Sequence, residues 1–388
     1  MWGDIAIAFI LAFITSFVVV PYTIKLAHKV GAIDVPKDER RMNSKPIPRI
    51  GGIAVIVGFL VASTFLIVTS LIENKINATD FEYYKFRILG FLGGIAIIAI
   101  AAYLDDIKNL KPIIKLIAQV AAAALIYAVG IKIDYIGSWE LPVWFSCILT
   151  MGWIVGITNA INLIDGLDGL SSGISLISCL ELLIIFATND SPVIAVILIT
   201  ALAGAISGFL PYNINPAKTF IGDVGAQFLG FSLAVIAILG VAKTVTLIVM
   251  IAPILILGLP ILDTVFAILR RMIKNKSIKA VFQADNGHLH HKLIQRGYNQ
   301  KQAVTILYAA SAALGMSAII FIEDAWWKGV AFIVLTLLVI LAGHKEFIKY
   351  NKKLIEENIE LGLVDEKKID QKKLEKIKSN KEKENKED

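Results

Sequence analysis

Residues 88–106 read ILGFLGGIAIIAIAAYLDD: seventeen residues without a charge, then two aspartates side by side. An α-helix needs about 20 apolar residues to cross a hydrocarbon core roughly 30 Å thick. The run 86–104 is one of eleven such blocks, with 5–27, 50–71, 112–130, 143–161, 169–187, 191–210, 222–240, 243–269, 303–321 and 328–345. The chain has 388 residues, is 56% hydrophobic and has a mean hydropathy of +0.71. Soluble domains are less apolar and place their apolar residues at helix or strand spacing. The blocks are too long for barrel strands, and only helices or closed barrels satisfy backbone polar groups in lipid. The predicted fold class is all-α, a polytopic helical integral membrane protein of about 11 transmembrane helices.

The two aspartates at the end of that block are the second signal. A carboxylate is costly in hydrocarbon, so an acid at a helix mouth marks a functional site by default. Asp105 and Asp106 close one block, Asp165 and Asp168 lie between two others, and Asp223 opens another. If residue 1 lies outside and the spans alternate, segments 25–49, 105–115, 211–221, 270–302 and 345–388 lie inside. They hold 32 of the 38 Lys and Arg residues, as the positive-inside rule requires. The same topology puts all three acid clusters on the cytoplasmic face of the cell membrane. The first block has no basic n-region and no small-residue cleavage site, so it is expected to be a retained anchor. Cys147 and Cys179 fall within blocks and suggest neither a disulfide framework nor a metal site. The expected domains are a membrane domain over 1–346 and a charged cytoplasmic tail over 347–388, the tail nearly neutral and fraying.

Each cluster has a chemical reading. Adjacent helical residues point about 100° apart, so Asp105 and Asp106 face different neighbours. Pro112 opens the next helix, where a missing N–H is harmless, and puts Lys115 on the first turn near the acids. In NAINLIDGLDGL (159–170), Asn162 and Asp165 share a helix face, Gly166 and Gly169 allow a tight turn and close ligand approach, and Asp168 can cap the next helix. FIGDVG (220–225) opens a helix whose free N–H groups suit a phosphate. Asp223 beside it would tie Mg²⁺ to the same phosphate, because Mg²⁺ prefers one or two carboxylates plus substrate oxygens. Asn213 and the aromatic Phe220 are candidates for hydrogen bonding and stacking on a base. His288, His290 and His291 lie near Asp285 without the cysteines or second histidine pair of a zinc site. Pyrophosphate contact fits them better, assisted by Arg270, Arg271, Lys45 or Arg49. Asp263 is either a site residue or a buried polar partner.

The strings DD-x₃-L-x₄-K, NxxNxxDGxDGL, FIGDVG and HLHH, in this order, resemble the polyprenyl-phosphate N-acetylhexosamine-1-phosphate transferases over residues 1 to about 345. KPIPRIGG (45–52) and the HLHH form resemble the branch that uses UDP-GlcNAc rather than the branch that transfers phospho-MurNAc-pentapeptide. The resemblance implies transfer of GlcNAc-1-phosphate from UDP-GlcNAc to undecaprenyl phosphate, giving undecaprenyl-diphospho-GlcNAc and UMP. It further implies Mg²⁺, with Mn²⁺ able to substitute, a lipid bilayer and a homodimer as partners, and no nucleic acid. Carried over residue by residue, Asp105, Asp106, Asp165, Asp168 and His288 are the expected catalytic set. Asp223 is the principal metal ligand, with Asn162 beside it. Lys45, Arg49, Lys115, Asn162, Asn213, Phe220, His290 and His291 are expected to bind substrate, Asn213 and Phe220 at the uracil.

Two other classes fit less well. An intramembrane aspartyl protease needs Gly-x-Gly-Asp, and Phe220 stands where its first glycine would be. A transporter would place charges near the bilayer midplane and show repeat symmetry, and no internal repeat is visible.

Overall fold

The computed structural model describes residues 2–35, 45–73, 78–189, 191–241, 247–275, 287–322, 327–336 and 338. Part of the first basic loop (36–44), Asp285, Asn286 and the tail 347–388 lie outside the described residues. The chain divides into two compact units, Met1–Val334 and Leu335–Asp388, and the elements labelled below all belong to the first.

The elements are α1 (Trp2–Val30), β1 (Ile33–Asp34), β2 (Ile47–Pro48), α2 (Gly52–Ile72), α3 (Ala78–Lys108) and α4 (Pro112–Ala128). They continue with β3 (Tyr135–Ile136), β4 (Trp139–Glu140), α5 (Val143–Ile164), α6 (Leu170–Thr188), α7 (Val193–Asn213) and α8 (Gly222–Val241). The last are α9 (Leu247–Ile256), α10 (Gly258–Asn275), α11 (Leu289–Gln295) and α12 (Gln300–Ile322). The only strands among the described residues form two antiparallel two-stranded hairpins, β1–β2 and β3–β4. The protein is therefore a helical, polytopic membrane protein. Eight of its described helices are long and apolar enough to cross a membrane.

Helix α4, of 17 residues, falls within the expected span 112–130, and the described helix Trp327–Thr336 covers the start of the expected span 328–345. One expected span comes out differently. The block 243–269 is not one helix: it divides at Leu257 into α9 and α10. Pro260 has no N–H to give the carbonyl of Ile256 four residues before it, which interrupts the ladder. Ser178 Oγ, from α6, donates to that carbonyl at 3.4 Å.

Helix α8 is the axis of the bundle. Its apolar window is 94% buried, against 22% for α1 at the periphery, and it packs against α2, α3, α5, α6, α7 and α9. Helices this apolar on every side belong either inside a bundle or against lipid. Close packing without a hydrophobic driving force relies on small residues. Gly204 and Gly208 of α7 supply it against α1, since a Cβ there would lie 2.3 Å from the Phe9 carbonyl oxygen and 2.2 Å from that of Phe13. The result is a rigid core whose helix ends gather the acid clusters.

Candidate active site

The site begins where α3 ends. Asp105 Oδ1 accepts the Leu110 N–H at 2.6 Å, and its Oδ2 lies 2.7 Å from Lys115 Nζ on the first turn of α4. Asn109 makes the turn at φ 49°, one of the few non-glycine types that enters this region readily. Asp106 points the other way, as adjacency predicts. Its carboxylate accepts the backbone N–H groups of Asp223 (3.1 Å) and Val224 (3.0 Å). The first amides of α8, expected to meet a phosphate, are instead capped by an acid from α3.

Arg49 completes the link. The segment before α2 is stitched to the one before α8 by hydrogen bonds from Phe220 N to Pro48 O, Gly51 N to Phe220 O and Gly52 N to Ile221 O, at 2.8–3.0 Å. Gly222 sits in this seam at φ 70°, and a Cβ there would lie 1.6 Å from the Arg49 carbonyl oxygen. The seam holds the Arg49 guanidinium 3.3 Å from Asp106 and 3.5 Å from Asp223. Lys115 reaches the other Asp223 oxygen, also at 3.5 Å. The five side chains alternate as acid, base, acid, base, acid: Asp105, Lys115, Asp223, Arg49, Asp106. One negative charge is left over.

Asp223 is the acid open to a ligand. Its side chain is 17% exposed, against 6% for Asp105 and 0% for Asp106, and its two basic neighbours stand at long distances. No group of three or more His, Cys, Asp or Glu that could by itself hold a metal ion is found among the described residues. A divalent cation would thus be held by Asp223 together with substrate oxygens rather than by a protein cage, and the donor set fits Mg²⁺ used in that way. Asn162, one turn before Asp165 on α5, is half-buried with no side-chain partner among the described residues.

The second wall is the turn between α5 and α6. Asp165 accepts a 2.6 Å hydrogen bond from Ser171 Oγ. Burial pushes its carboxyl up to about 7, against the lowering effect of that bond; the charge of Asp223 adds to the rise and that of Arg49 opposes it. Asp168 does not cap α6, whose N-cap is Gly169. Its Oδ2 accepts from Asn215 Nδ2 (2.8 Å) and Ala217 N (3.0 Å), which fastens the loop before Phe220. Asn213 is also structural here. It is buried, donates to the Thr219 carbonyl at 3.1 Å and accepts from Ser172 Oγ at 2.8 Å. Each end of its amide thus makes one bond within the protein, which fixes the amide's orientation. Phe220 is half-buried at the mouth, and Lys45 is exposed.

The histidine motif forms the third wall. His288 precedes α11 and its Nδ1 lies 2.9 Å from Asp263 Oδ2, while Asp263 Oδ1 accepts the Leu289 N–H at 2.9 Å. Arg271 approaches His288 Nε2 at 3.4 Å. Asp263, left open by sequence, is therefore the anchor of the motif. His290 is buried against Gly166, where a Cβ would lie 2.2 Å from its Nε2. Burial and the neighbouring His291 and His288 lower its pKa to about 4, so the ring is neutral. His291 packs on it at 4.2 Å between centroids.

Comparison with known proteins gives this geometry its context. Residues 88–241 match glycosyl transferase family 4. Over 370 residues the chain is 35% identical to the "Probable undecaprenyl-phosphate N-acetylglucosaminyl 1-phosphate transferase" of Bacillus subtilis, covering 91% of this chain and 98% of that protein. It is 29% identical over 374 residues to the decaprenyl-phosphate N-acetylglucosaminephosphotransferase of Mycolicibacterium smegmatis, covering 87% and 88% of the two. It is 26% identical over 322 residues to the phospho-N-acetylmuramoyl-pentapeptide-transferase of Staphylococcus epidermidis, covering 79% and 96%. With four ordered motifs on one helical bundle and a relative matched from end to end, the chain belongs to glycosyl transferase family 4, among the polyprenyl-phosphate N-acetylhexosamine-1-phosphate transferases.

Proposed function

We propose that this protein transfers GlcNAc-1-phosphate from UDP-GlcNAc to undecaprenyl phosphate, releasing UMP, as an opening membrane step of cell-envelope glycopolymer synthesis. The observation that carries the reading is the alternating charge chain from Asp105 to Asp106 with Asp223 as its open acid. Phosphoryl transfer depends on positioning and charge neutralisation more than on covalent chemistry. Lys115 and Arg49 flank Asp223 and supply positive charge to a pyrophosphate lying over it. Mg²⁺, held by Asp223 and the substrate, would neutralise the same pyrophosphate. The donor follows from the two GlcNAc-named relatives, which match this chain more closely than the pentapeptide transferase does.

Direct attack by the lipid phosphate oxygen on the sugar-bearing phosphate fits best. Both oxygens of Asp105 and both of Asp106 are already engaged, by Leu110 and Lys115 and by α8 and Arg49. An aspartyl-phosphate route would require one of them to leave those partners. A lipid monophosphate near neutral pH needs little deprotonation, so neither acid is required as a base. They act by holding Lys115, Arg49 and the mouth of α8.

The Lys and Arg distribution supports a site on the cytoplasmic face of the cell membrane. The test is UMP release by purified protein with Mg²⁺, undecaprenyl phosphate and a panel of UDP-sugars. UDP-GlcNAc should be the preferred donor. Preference for UDP-MurNAc-pentapeptide would overturn the donor assignment, and no release with any donor would overturn the reaction.

A further inference from the structure

One helical turn deeper than the charge chain lie two glutamines outside the motifs and Asn159, the first residue of the NxxNxxDGxDGL string, to which no role has yet been given. Gln119 follows Lys115 by four residues on α4, Gln227 follows Asp223 by four on α8, and Asn159 precedes Asn162 by three on α5. Residues three or four apart share a helix face. Each amide therefore stands directly beneath a residue assigned to the site. Gln119 and Gln227 are only 2% and 1% exposed.

The amides bond to one another. Asn159 Nδ2 donates to Gln119 Oε1 at 2.6 Å, and Gln119 Nε2 donates to Gln227 Oε1 at 3.0 Å. Amide orientation is a matter of network logic, and here the logic has a fixed starting point. Asn159 Nδ2 also donates to the backbone carbonyl of Val155 at 2.8 Å. A carbonyl only accepts, so the Asn159 NH₂ must face it. Gln119 must then turn its oxygen to Asn159 and its nitrogen to Gln227. The ladder ends in a buried Gln227 Nε2 with no acceptor.

Packing is a poor explanation for this arrangement. A buried donor without a partner is costly, whereas replacing both partners of a buried hydrogen bond by apolar groups of similar shape can be neutral or stabilising. Leucines at 119 and 227 would fill the space and remove the Gln227 orphan, while Asn159 Nδ2 would keep its bond to the Val155 carbonyl. Yet the ladder does something leucines would not: it fixes both the rotation and the axial register of α4, α5 and α8 relative to one another. Lys115 Nζ lies 2.7 Å from one acid and 3.5 Å from another, and a slide of α4 along α8 by less than one residue's rise would break that division.

We infer that Gln119 and Gln227 are positioning residues for the transfer reaction, acting through Lys115 and Asp223 with Asn159 as their anchor. The inference rests on the transferase reading above. Gln119→Leu, Gln227→Leu, Gln227→Met and the double Gln119→Leu/Gln227→Leu are compared with wild type for Tm in detergent and for kcat and both KM values. Gln227→Leu should lower Tm, because it strands the Gln119 donor. The double variant should regain a Tm at or above wild type and still lose at least about tenfold in kcat, with each KM within about threefold. Combining Gln119→Leu with Lys115→Met should cost little more than Lys115→Met alone, because residues acting as one unit are non-additive.

Wild-type kcat in the double variant, or fully additive losses with Lys115→Met, overturns the inference. So does a double-variant Tm below both singles, which would make the ladder a stability device. If the double variant fails to fold, the ladder is likewise structural and the inference falls. Gln227→Met, which leaves the Asn159–Gln119 bond in place, gives an independent reading of kcat in folded protein. A wild type inactive with every UDP-sugar would instead sink the transferase reading, while the Tm comparison would still decide whether the ladder is packing.

Discussion

Asp223 carries the strongest single-residue expectation, because it is the one acid of the charge chain open to a ligand. Asp223→Asn keeps the shape and one acceptor oxygen, puts an NH₂ donor in place of the other, and removes the charge that would hold a cation. Activity should fall to background while Tm stays within a few degrees, and Mn²⁺ binding followed by electron paramagnetic resonance should weaken in the same variant. Near-normal turnover, or undiminished Mn²⁺ binding, would show that the cation is held elsewhere. Asp165 and His290 allow a second test at this scale. The Asp165 carboxyl is raised to about 7 by burial, so its stabilising contribution is full below its unfolded pKa of about 3.9 and is lost as pH rises through about 7. His290 is lowered to about 4, so its contribution is full above about 6.5 and is lost as pH falls through about 4. The two slopes oppose each other. Asp165→Asn should therefore gain Tm relative to wild type as pH climbs from about 4 to 7, and His290→Gln should gain it as pH drops from about 6.5 to 4. Parallel Tm curves across that window would refute both assignments.

At the scale of elements, the seam between the segment preceding α2 and the start of α8 sets the site's dimensions. Gly222 has φ 70°, and an added Cβ would fall 1.6 Å from the Arg49 carbonyl oxygen and 2.8 Å from Asp106 Oδ2. Gly222→Ala thus combines about 1–2 kcal/mol of left-handed backbone strain with a displaced Arg49. It should lower Tm by several degrees and kcat by more than tenfold. Gly152→Ala on α5, with nothing near its Cβ position, is the control and should leave both unchanged. The apolar blocks were legible in the sequence because lipid demands uninterrupted runs, and α7 and α8 lie close to the boundaries those runs suggest. The break at Leu257 was written in Pro260, but its position follows from which carbonyl loses its partner and which neighbour rescues it. Ser178, nearly eighty residues earlier, does so. The same limit hid the Asp263–His288 pair, twenty-five residues apart, and the capping of α8 by Asp106. Spacing identifies residues on one helix face, whereas these partners meet only when two helices pack. Asn213 and Asp168 show the converse. Their motif positions were visible, but their engagement by Thr219, Ser172, Asn215 and Ala217 was not.

At the scale of the whole molecule, the charge chain serves one face of the membrane, and its sidedness can be tested. The ends of α3, α5 and α7 and the starts of α4, α6 and α8 carry the acid clusters, so the three clusters lie at one end of an alternating bundle. Thirty-two of the 38 Lys and Arg residues fall in segments at that end or in the tail under the expected topology, and basic loops stay cytoplasmic. In a background lacking Cys147 and Cys179, Lys45→Cys and Lys218→Cys, both at exposed positions, should react with an impermeant thiol reagent only in inside-out vesicles. Trp139→Cys, on the β3–β4 hairpin and 62% exposed in wild type, should react only from the opposite face, in intact cells or right-side-out vesicles. Labelling of all three from one side would break the alternation, and the reverse pattern would invert the protein. The expected pattern has a chemical consequence. UDP-GlcNAc is too polar to cross the hydrocarbon, so it must approach from the face where Asp223 opens. The lipid phosphate, anchored by its chain, must enter sideways from the leaflet on the same face, and the two phosphates then meet over Lys115 and Arg49 without either substrate crossing the bilayer.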